Sequence, residues 1–325
     1  MAHRILGVVL LAVLAVCPAA HSADETTGPM AQAVARFEAS EIEAAETDFR
    51  ELLTAEPAQA AYYLGRIHLK RGDPEGAVEW LVQATEQDPS ESDYQLWLGS
   101  AYLARLQTAS LFKKLGLSKK VRACYLEAIE LDPDNISARE SLAGYYFEAP
   151  GIAGGSTEKG LEQAREIKSR DPRRGHNMLA AHYINEKSYD LAEREYSAAL
   201  ALSPDEPDTL YSLGQLFQTR GDSSKAFDYF ERVLAANPDH LGSLYALGRA
   251  AAISGKNLDR GIECLQRFLN DEPAHDQPAH TFAHWRMGMI FEHKGDQARA
   301  KRAYESALEL DPDNERASKA LKKLS

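Results

Sequence analysis

Four histidines in the C-terminal part of the chain come closest to a chemically active cluster, because imidazole nitrogens bind metals and transfer protons. They are His275, His280, His284 and His293. His280 and His284 are four residues apart, so on a helix they share one face, as metal ligands often do. No glutamate accompanies them in a zincin motif, and His293 lies more than two helical turns farther on. The region from His275 to His284 therefore allows a metal-binding or hydrolytic role, but the spacing favours a surface loop followed by a helix start.

The rest of the sequence argues against catalysis and against nucleic-acid binding. No nucleophile elbow, Walker loop, dinucleotide-binding fingerprint or Cys-x-x-Cys pair occurs in it. The chain carries 49 acidic and 37 basic residues, a net charge of −12, whereas binding to phosphate backbones requires basic surface. Since 44% of its residues are hydrophobic, the chain can build a folded core. We predict a protein that is not an enzyme, uses no cofactor and binds no nucleic acid.

Regularly spaced prolines indicate which elements position these residues. Eight prolines recur at intervals of 32 to 44 residues, and each follows an acidic or small polar residue. Proline disfavours the α conformation of the residue before it, so these positions predict the ends of helices. The eight are Pro57, Pro89, Pro133, Pro172, Pro204, Pro238, Pro273 and Pro312.

Small and large residues alternate at helical spacing upstream of each proline, most clearly in the segment that leads to the sixth. There Leu213-Gly214 is followed by Phe217, Ala226 and Phe230. This pattern resembles the tetratricopeptide repeat, a 34-residue pair of antiparallel helices, here called A and B. Small residues let the two helices approach closely, and large residues fill the space between neighbouring pairs.

The resemblance implies an all-α fold, a right-handed α-solenoid of about eight helix hairpins. It spans residues 23–314 and ends in a capping helix over residues 315–325, of the kind that solenoids need. Glycine occupies the first small site of five repeats, at positions 65, 99, 214, 248 and 288. The predicted repeats cover about residues 26–59, 58–91, 92–135, 136–174, 175–206, 207–240, 241–275 and 276–314.

The resemblance also implies a binding surface. In this repeat family the A helices line a concave groove, and its positions lie two residues before and one residue after the Leu-Gly pair. Aromatic and arginine side chains at such positions suit a protein or peptide partner. The lysine and asparagine of the two-carboxylate clamp found in some family members are absent, which argues against chaperone-type C-terminal tails. The predicted groove residues are Tyr62, Arg66, Leu96, Tyr211, Gln215, Tyr245, Arg249 and Trp285.

Two repeats carry insertions. The third is ten residues too long, and its extra length lies in residues 105–122, which hold six cations and no acid. The leucines of this basic segment favour packing onto its own repeat, with the lysines in contact with solvent. The alternative is that the segment docks peripherally on an acidic partner or an anionic lipid surface. A turn at residues 149–156 lengthens the fourth repeat, and Ser156 is expected to cap the next helix. The two insertions resemble those of a group of exported bacterial tetratricopeptide proteins. The cations are Arg105, Lys113, Lys114, Lys119, Lys120 and Arg122.

Residues 1–22 have the pattern of a secretory signal peptide. A basic start precedes an apolar core at residues 5–16 and a small-residue cleavage site before Ala23. The core is too short to cross a bilayer as a helix, and we find no other stretch that is long enough. Cys17 has a position that a lipid anchor would use, but its bulky valine and proline neighbours disfavour lipidation. We predict an exported scaffold of the bacterial cell envelope, periplasmic or secreted, without a transmembrane segment.

Overall fold

The computed structural model describes residues 28–271 and 279–324, except the side chains of Leu111 and Phe112. The predicted signal peptide with Cys17, and also Pro273 and His275, lie outside the described residues.

Seventeen α-helices and one short 3-10 turn, at Gly151–Ala153, form the described part of the chain, which contains no strand. Sixteen of the helices make eight hairpins, and the last, α17 (Glu315–Lys323), closes the series. The predicted all-α fold of eight hairpins with a capping helix is thereby confirmed. The A helices are α1 (Pro29–Glu38), α3 (Pro57–Lys70), α5 (Ser92–Thr108), α7 (Ile136–Glu148), α9 (Pro172–Asn185), α11 (Pro207–Thr219), α13 (Leu241–Ser254) and α15 (His280–His293). The B helices are α2 (Ile42–Leu52), α4 (Pro74–Gln87), α6 (Leu111–Leu131), α8 (Thr157–Arg170), α10 (Tyr189–Leu202), α12 (Ser223–Ala236), α14 (Leu258–Phe268) and α16 (Gln297–Leu310).

Close approach of helices A and B explains the small residues of the repeat. A Cβ atom on Gly214 would lie 2.5 Å from Cε1 of Phe230, and one on Gly248 would lie 2.2 Å from Cγ of Leu265. Phe230 and Leu265 belong to the B helices of the same hairpins and are fully buried. Each glycine thus faces the large residue that the repeat pattern predicts, so the predicted register is correct in these hairpins.

The prolines end helices less uniformly than predicted. Six of them directly follow the C-cap residue of a B helix: Pro89, Pro133, Pro172, Pro204, Pro238 and Pro312. Pro57 lies four residues after the C-cap of α2, and both Pro57 and Pro172 are the first residues of the next helices, α3 and α9. Proline is tolerated there because the first amide of a helix needs no acceptor within it. As a result, α9 begins three residues before the predicted start of the fifth repeat at residue 175.

An asparagine side chain joins three helices at the end of the chain. Asn314 Oδ1 accepts a hydrogen bond of 3.1 Å from the backbone N–H of Ala317 in α17. Its Nδ2 donates to Thr281 Oγ1 at 3.1 Å, and that hydroxyl donates to the carbonyl of Ala307 at 2.9 Å. Asn135, in the same Asp-Pro-Asp-Asn sequence, caps α7 in the same way. This network satisfies amides that a helix start leaves without partners.

The chain divides into two compact units, one up to Met178 and one from Leu179, with the boundary inside α9. In the first unit, the buried residues group around Trp97 and Tyr125 and around Phe49. The second unit has one cluster of buried residues around Phe230 and Leu265 and another around Tyr304. Within the described residues, no helix is both long and apolar enough to cross a membrane.

Both insertions are ordered secondary structure. The third repeat gains its length from long helices, since α5 has 17 residues and α6 has 21. In the fourth repeat, Gly154 has a left-handed backbone with φ of 93°, and Ser156 accepts a hydrogen bond from the amide of Lys159 as the predicted cap of α8. The hydroxyl of Tyr145 joins the two insertions through the carbonyls of Ala153 at 2.6 Å and Ser118 at 3.3 Å.

Candidate protein-binding surface

The predicted groove positions of the second unit form a row of aromatic rings on A helices. Tyr211 of α11, Tyr245 of α13 and Trp285 of α15 are each partly buried, whereas Gln215 and Arg249, one turn after the tyrosines, are exposed. The inner edges of the tyrosine rings pack on B-helix phenylalanines, with ring-centre distances of 5.6 Å for Tyr211 and 5.4 Å for Tyr245. Each ring is therefore held in place while one edge stays accessible.

An arginine cluster, Arg249, Arg286 and Arg316, lies around Trp285. The guanidinium carbon of Arg286 is 4.1 Å from the Trp285 ring centre, and that of Arg316 is 5.2 Å away. These are cation–π distances, and the contacts hold two long side chains against one rigid ring. Arg286 also donates from Nη1 to the Met289 sulfur at 3.5 Å. Arg249 of α13 is near enough for its charge to lower the pKa of Arg286, so two A helices and the capping helix bring cations to one region.

The electrostatics of Arg286 are unfavourable for a cation. Burial lowers the pKa of Arg286, and the charges of Arg249 and Arg316 lower it further, although Tyr245 opposes these effects through a hydrogen bond. Its Nε atom is buried and has no hydrogen-bond partner among the described residues. In the part of the chain that the structure describes, none of the three arginines forms an ion pair. Within the described residues, the cluster is a concentration of positive charge that no acidic side chain pairs with.

Sequence reasoning identified Tyr245, Arg249 and Trp285 but missed Arg286 and Arg316. Arg286 falls outside the two positions that the repeat pattern marks, and Arg316 lies on the capping helix, which carries no groove position of the repeat. The sequence did contain one indication that two of the arginines are unpaired on their own helices. Arg249 and Arg286 have no acidic residue three or four positions away. An arginine with such an acid nearby usually forms an ion pair on its own helix.

Arginine also meets aromatic rings in the first unit, but there it is part of the packing. Arg66 Nη1 donates to the Tyr62 hydroxyl at 3.3 Å, and its guanidinium lies 4.5 Å from the Trp97 ring centre and 4.8 Å from that of Phe37. Tyr62 is only 7% exposed, and burial raises the pKa of its hydroxyl. Leu96 is 1% exposed, so its side chain belongs to the core and is not accessible to a partner.

Three of the six cations in the basic segment make contacts within the protein. Arg105 pairs with Glu75 at 3.3 Å, and the Lys120 ammonium lies 4.9 Å from the ring centre of Tyr102. The Arg122 guanidinium occupies the place where Gly154 would carry a side chain. The remaining cations, Lys113, Lys114 and Lys119, are exposed or partly exposed on α6. Docking of this segment on an acidic partner or a lipid surface stays a prediction.

The histidines bond to separate backbone groups. The Nε2 atom of His280 lies 2.8 Å from the carbonyl oxygen of Asp271, and that of His293 lies 3.0 Å from the carbonyl oxygen of Ala252. Burial, with a smaller contribution from His280, lowers the pKa of His284. Among the residues that the structure describes, no three His, Cys, Asp or Glu side chains are grouped so that they could hold a metal ion.

Comparison with protein families identifies the repeat. Models described as tetratricopeptide repeat match residues 30–92, 102–135, 173–239, 211–274 and 281–314 of the chain. Together these ranges cover most of the eight hairpins.

Individual proteins are similar to this chain at low identity. Protein CTR9 homolog of Arabidopsis thaliana is 25% identical over 197 residues, which are 58% of this chain and 17% of that protein. A chain of the APC/C hetero-tetramer Cut9-Hcn1 aligns with a TM-score of 0.54 and 17% identity, over 91% of this chain and 55% of that one. The pilF structure of Pseudomonas aeruginosa aligns with a TM-score of 0.53 and 16% identity, over 73% of this chain and 99% of that one. The chain therefore spans less than two thirds of the plant protein and of the Cut9-Hcn1 chain, and the structural likenesses establish the fold alone.

Proposed function

Since the chain belongs to the tetratricopeptide repeat family, we propose that it is a non-enzymatic scaffold that binds a protein or peptide partner on the A-helix face of its repeats. One observation carries the proposal. Tyr211, Tyr245 and Trp285 recur at the same position of successive repeats and are all partly exposed; the two tyrosine rings pack on B-helix phenylalanines, and Trp285 packs on the cluster around Tyr304. Recognition by proteins depends on a few such aromatic and arginine anchors.

The anchored rings suit binding for an entropic reason. A side chain that is already held by its own hairpin loses little freedom when a partner covers it, so less of the contact energy is offset. The amides and carbonyls within each helix bond to one another. Affinity must therefore come from side chains, as it does when a helix or an extended peptide lies across a helical surface.

A photoreactive residue tests this proposal in living cells. We would replace Tyr211 or Tyr245 by a benzophenone amino acid and compare each variant with the same replacement at Tyr229. Tyr229 is the matched control because it is also a partly buried tyrosine of the second unit, but it lies on B helix α12 and stacks on Phe217. We expect one shared partner to be crosslinked from Tyr211 and Tyr245 and not from Tyr229. Failure at both A-helix positions, or equal capture from Tyr229, would contradict the proposal.

We also propose that the scaffold acts in the bacterial cell envelope. Support comes from the signal-peptide pattern of residues 1–22 and from the likeness of the two insertions to those of exported proteins. N-terminal sequencing of protein recovered from a periplasmic extract is expected to begin at Ala23. A cytoplasmic protein that keeps its first residues would refute the export proposal and leave the scaffold proposal standing.

A further inference from the structure

Two guanidinium groups contact Trp285, those of Arg286 and Arg316, and the charge of a third, Arg249, acts on Arg286. Arg249 and Arg316 are exposed, Arg286 is partly buried, and none of the three has an ion-pair partner among the residues that the structure describes. Like charges at close range repel, and a buried N–H without an acceptor costs free energy, as for Nε of Arg286. Such an arrangement is costly for the isolated protein and becomes favourable when an anion binds.

We propose that this arginine cluster binds carboxylate side chains of an acidic segment in the partner protein. The inference rests on the proposed function and specifies the chemistry of the partner. A planar guanidinium donates two parallel hydrogen bonds to a carboxylate, which makes arginine better suited than lysine to this recognition. The guanidinium groups of Arg249 and Arg316 are exposed, so a carboxylate of the partner can reach them directly, whereas the buried Nε of Arg286 keeps that arginine in the packing around Trp285.

The surroundings of the cluster favour a peptide over a small anion. The accessible edges of Tyr245 and Trp285 lie beside the cations, and Met289 contacts Arg286. A partner that presents acidic and apolar side chains in turn would contact both kinds of surface. Because Trp285 already holds Arg286 and Arg316 in place, little side-chain freedom is lost when the carboxylates arrive.

Fluorescence anisotropy with a labelled peptide tests the inference directly. The probe alternates pairs of glutamate with phenylalanine, and its neutral twin has glutamine in place of every glutamate. We expect the acidic peptide to bind and the neutral twin to bind at least about tenfold more weakly, since each charged hydrogen bond contributes about that factor. Arg249→Gln and Arg316→Gln should each weaken the acidic peptide by about tenfold.

A matched variant separates this effect from a general loss of charge. Arg302→Gln removes one exposed arginine from B helix α16, and Arg302 forms no ion pair among the described residues. It should leave peptide affinity within about twofold of the wild type, because an exposed charge outside the proposed contact contributes little to affinity. Equal weakening by Arg302→Gln and Arg249→Gln would overturn the proposal, because the attraction would then be non-specific.

Thermal unfolding gives a second readout that does not depend on affinity alone. The acidic peptide should raise the melting temperature of the wild type and not that of an Arg249→Gln/Arg316→Gln double variant. Without peptide, the double variant should melt no lower than the wild type, because relief of the repulsion offsets the lost cation–π contact. A double variant that melts several degrees lower would show that the arginines serve packing and would overturn the binding role.

Other outcomes would identify a different occupant. Binding of a phosphoserine peptide in preference to the acidic probe would refute carboxylate recognition. Self-association of the wild type that Arg249→Gln abolishes would make a second copy of this chain the occupant. If the probe fails to bind while crosslinking from Tyr211 and Tyr245 succeeds, the acidic partner is wrong and the scaffold proposal stands.

Discussion

Replacement of Gly214 by alanine tests the packing that defines the hairpins. The new Cβ atom would lie 2.5 Å from Cε1, 2.7 Å from Cδ1 and 2.8 Å from Cζ of Phe230, all well inside normal carbon contact. Phe230 is 0% exposed, so its ring has no free space to move into. Overpacking of this severity costs about 3 kcal/mol, and alanine regains about 1 kcal/mol of helix propensity. We expect a net destabilisation of about 2 kcal/mol.

Gly116→Ala is the matched control, because Gly116 also lies inside a helix but, apart from its own helix backbone, no atom of the described residues lies within 4 Å of its would-be Cβ. There the same substitution should stabilise the protein by about 0.5–1 kcal/mol. Urea unfolding followed by circular dichroism measures both changes, and hydrogen exchange in α11 and α12 locates the first, because repeat arrays can unfold in stages. A Gly214→Ala protein as stable as the wild type, or a Gly116→Ala protein that is less stable, would refute the reasoning.

Three further substitutions or reactions test other contacts. Asn314→Ala removes the cap of α17 and the hydrogen bond to Thr281, so we expect the free energy of unfolding to fall by about 1–2 kcal/mol and amide hydrogen exchange in α17 to become fast. Unchanged exchange in α17 would count against this hydrogen-bond network. Tyr145→Phe should lower the free energy of unfolding by about 0.5–1.5 kcal/mol. It should also speed amide hydrogen exchange in the turn at residues 150–155 without altering the helical circular-dichroism spectrum. Burial raises the pKa of the Cys124 and Cys264 thiols to about 11, so at pH 8 they hold little reactive thiolate. In a Cys17→Ser variant, both should react slowly with a thiol reagent when folded and rapidly in urea; rapid reaction of the folded protein would contradict their burial.

The hairpin register could be predicted from sequence because it depends on local pairs of residues. Gly288, for example, must face Tyr304, and that pairing repeats at a fixed spacing along the chain. The start of α9 at Pro172 could not be assigned by the same logic, since proline suits both the position after one helix and the first position of the next. The role of Arg286 was hidden for a different reason. Its neighbours come from α13 and α17, and local spacing does not specify how three separate helices meet.

Two arginines of B helix α14 form ion pairs with acids of the preceding hairpin, unlike the two A-helix arginines of the cluster. Arg260 of α14 pairs with Glu231 of α12 at 2.8 Å, and Arg267 pairs with Asp239 at 3.1 Å. These acids precede their arginines by 29 and 28 residues, so the pairs join neighbouring hairpins along the B helices and their loops. Arg249 and Arg286, on the A helices, have no such partner among the described residues. A repeat places equivalent positions side by side, so an acid opposite either A-helix arginine would have required only one substitution on a neighbouring helix. The missing acid is what the proposed partner supplies.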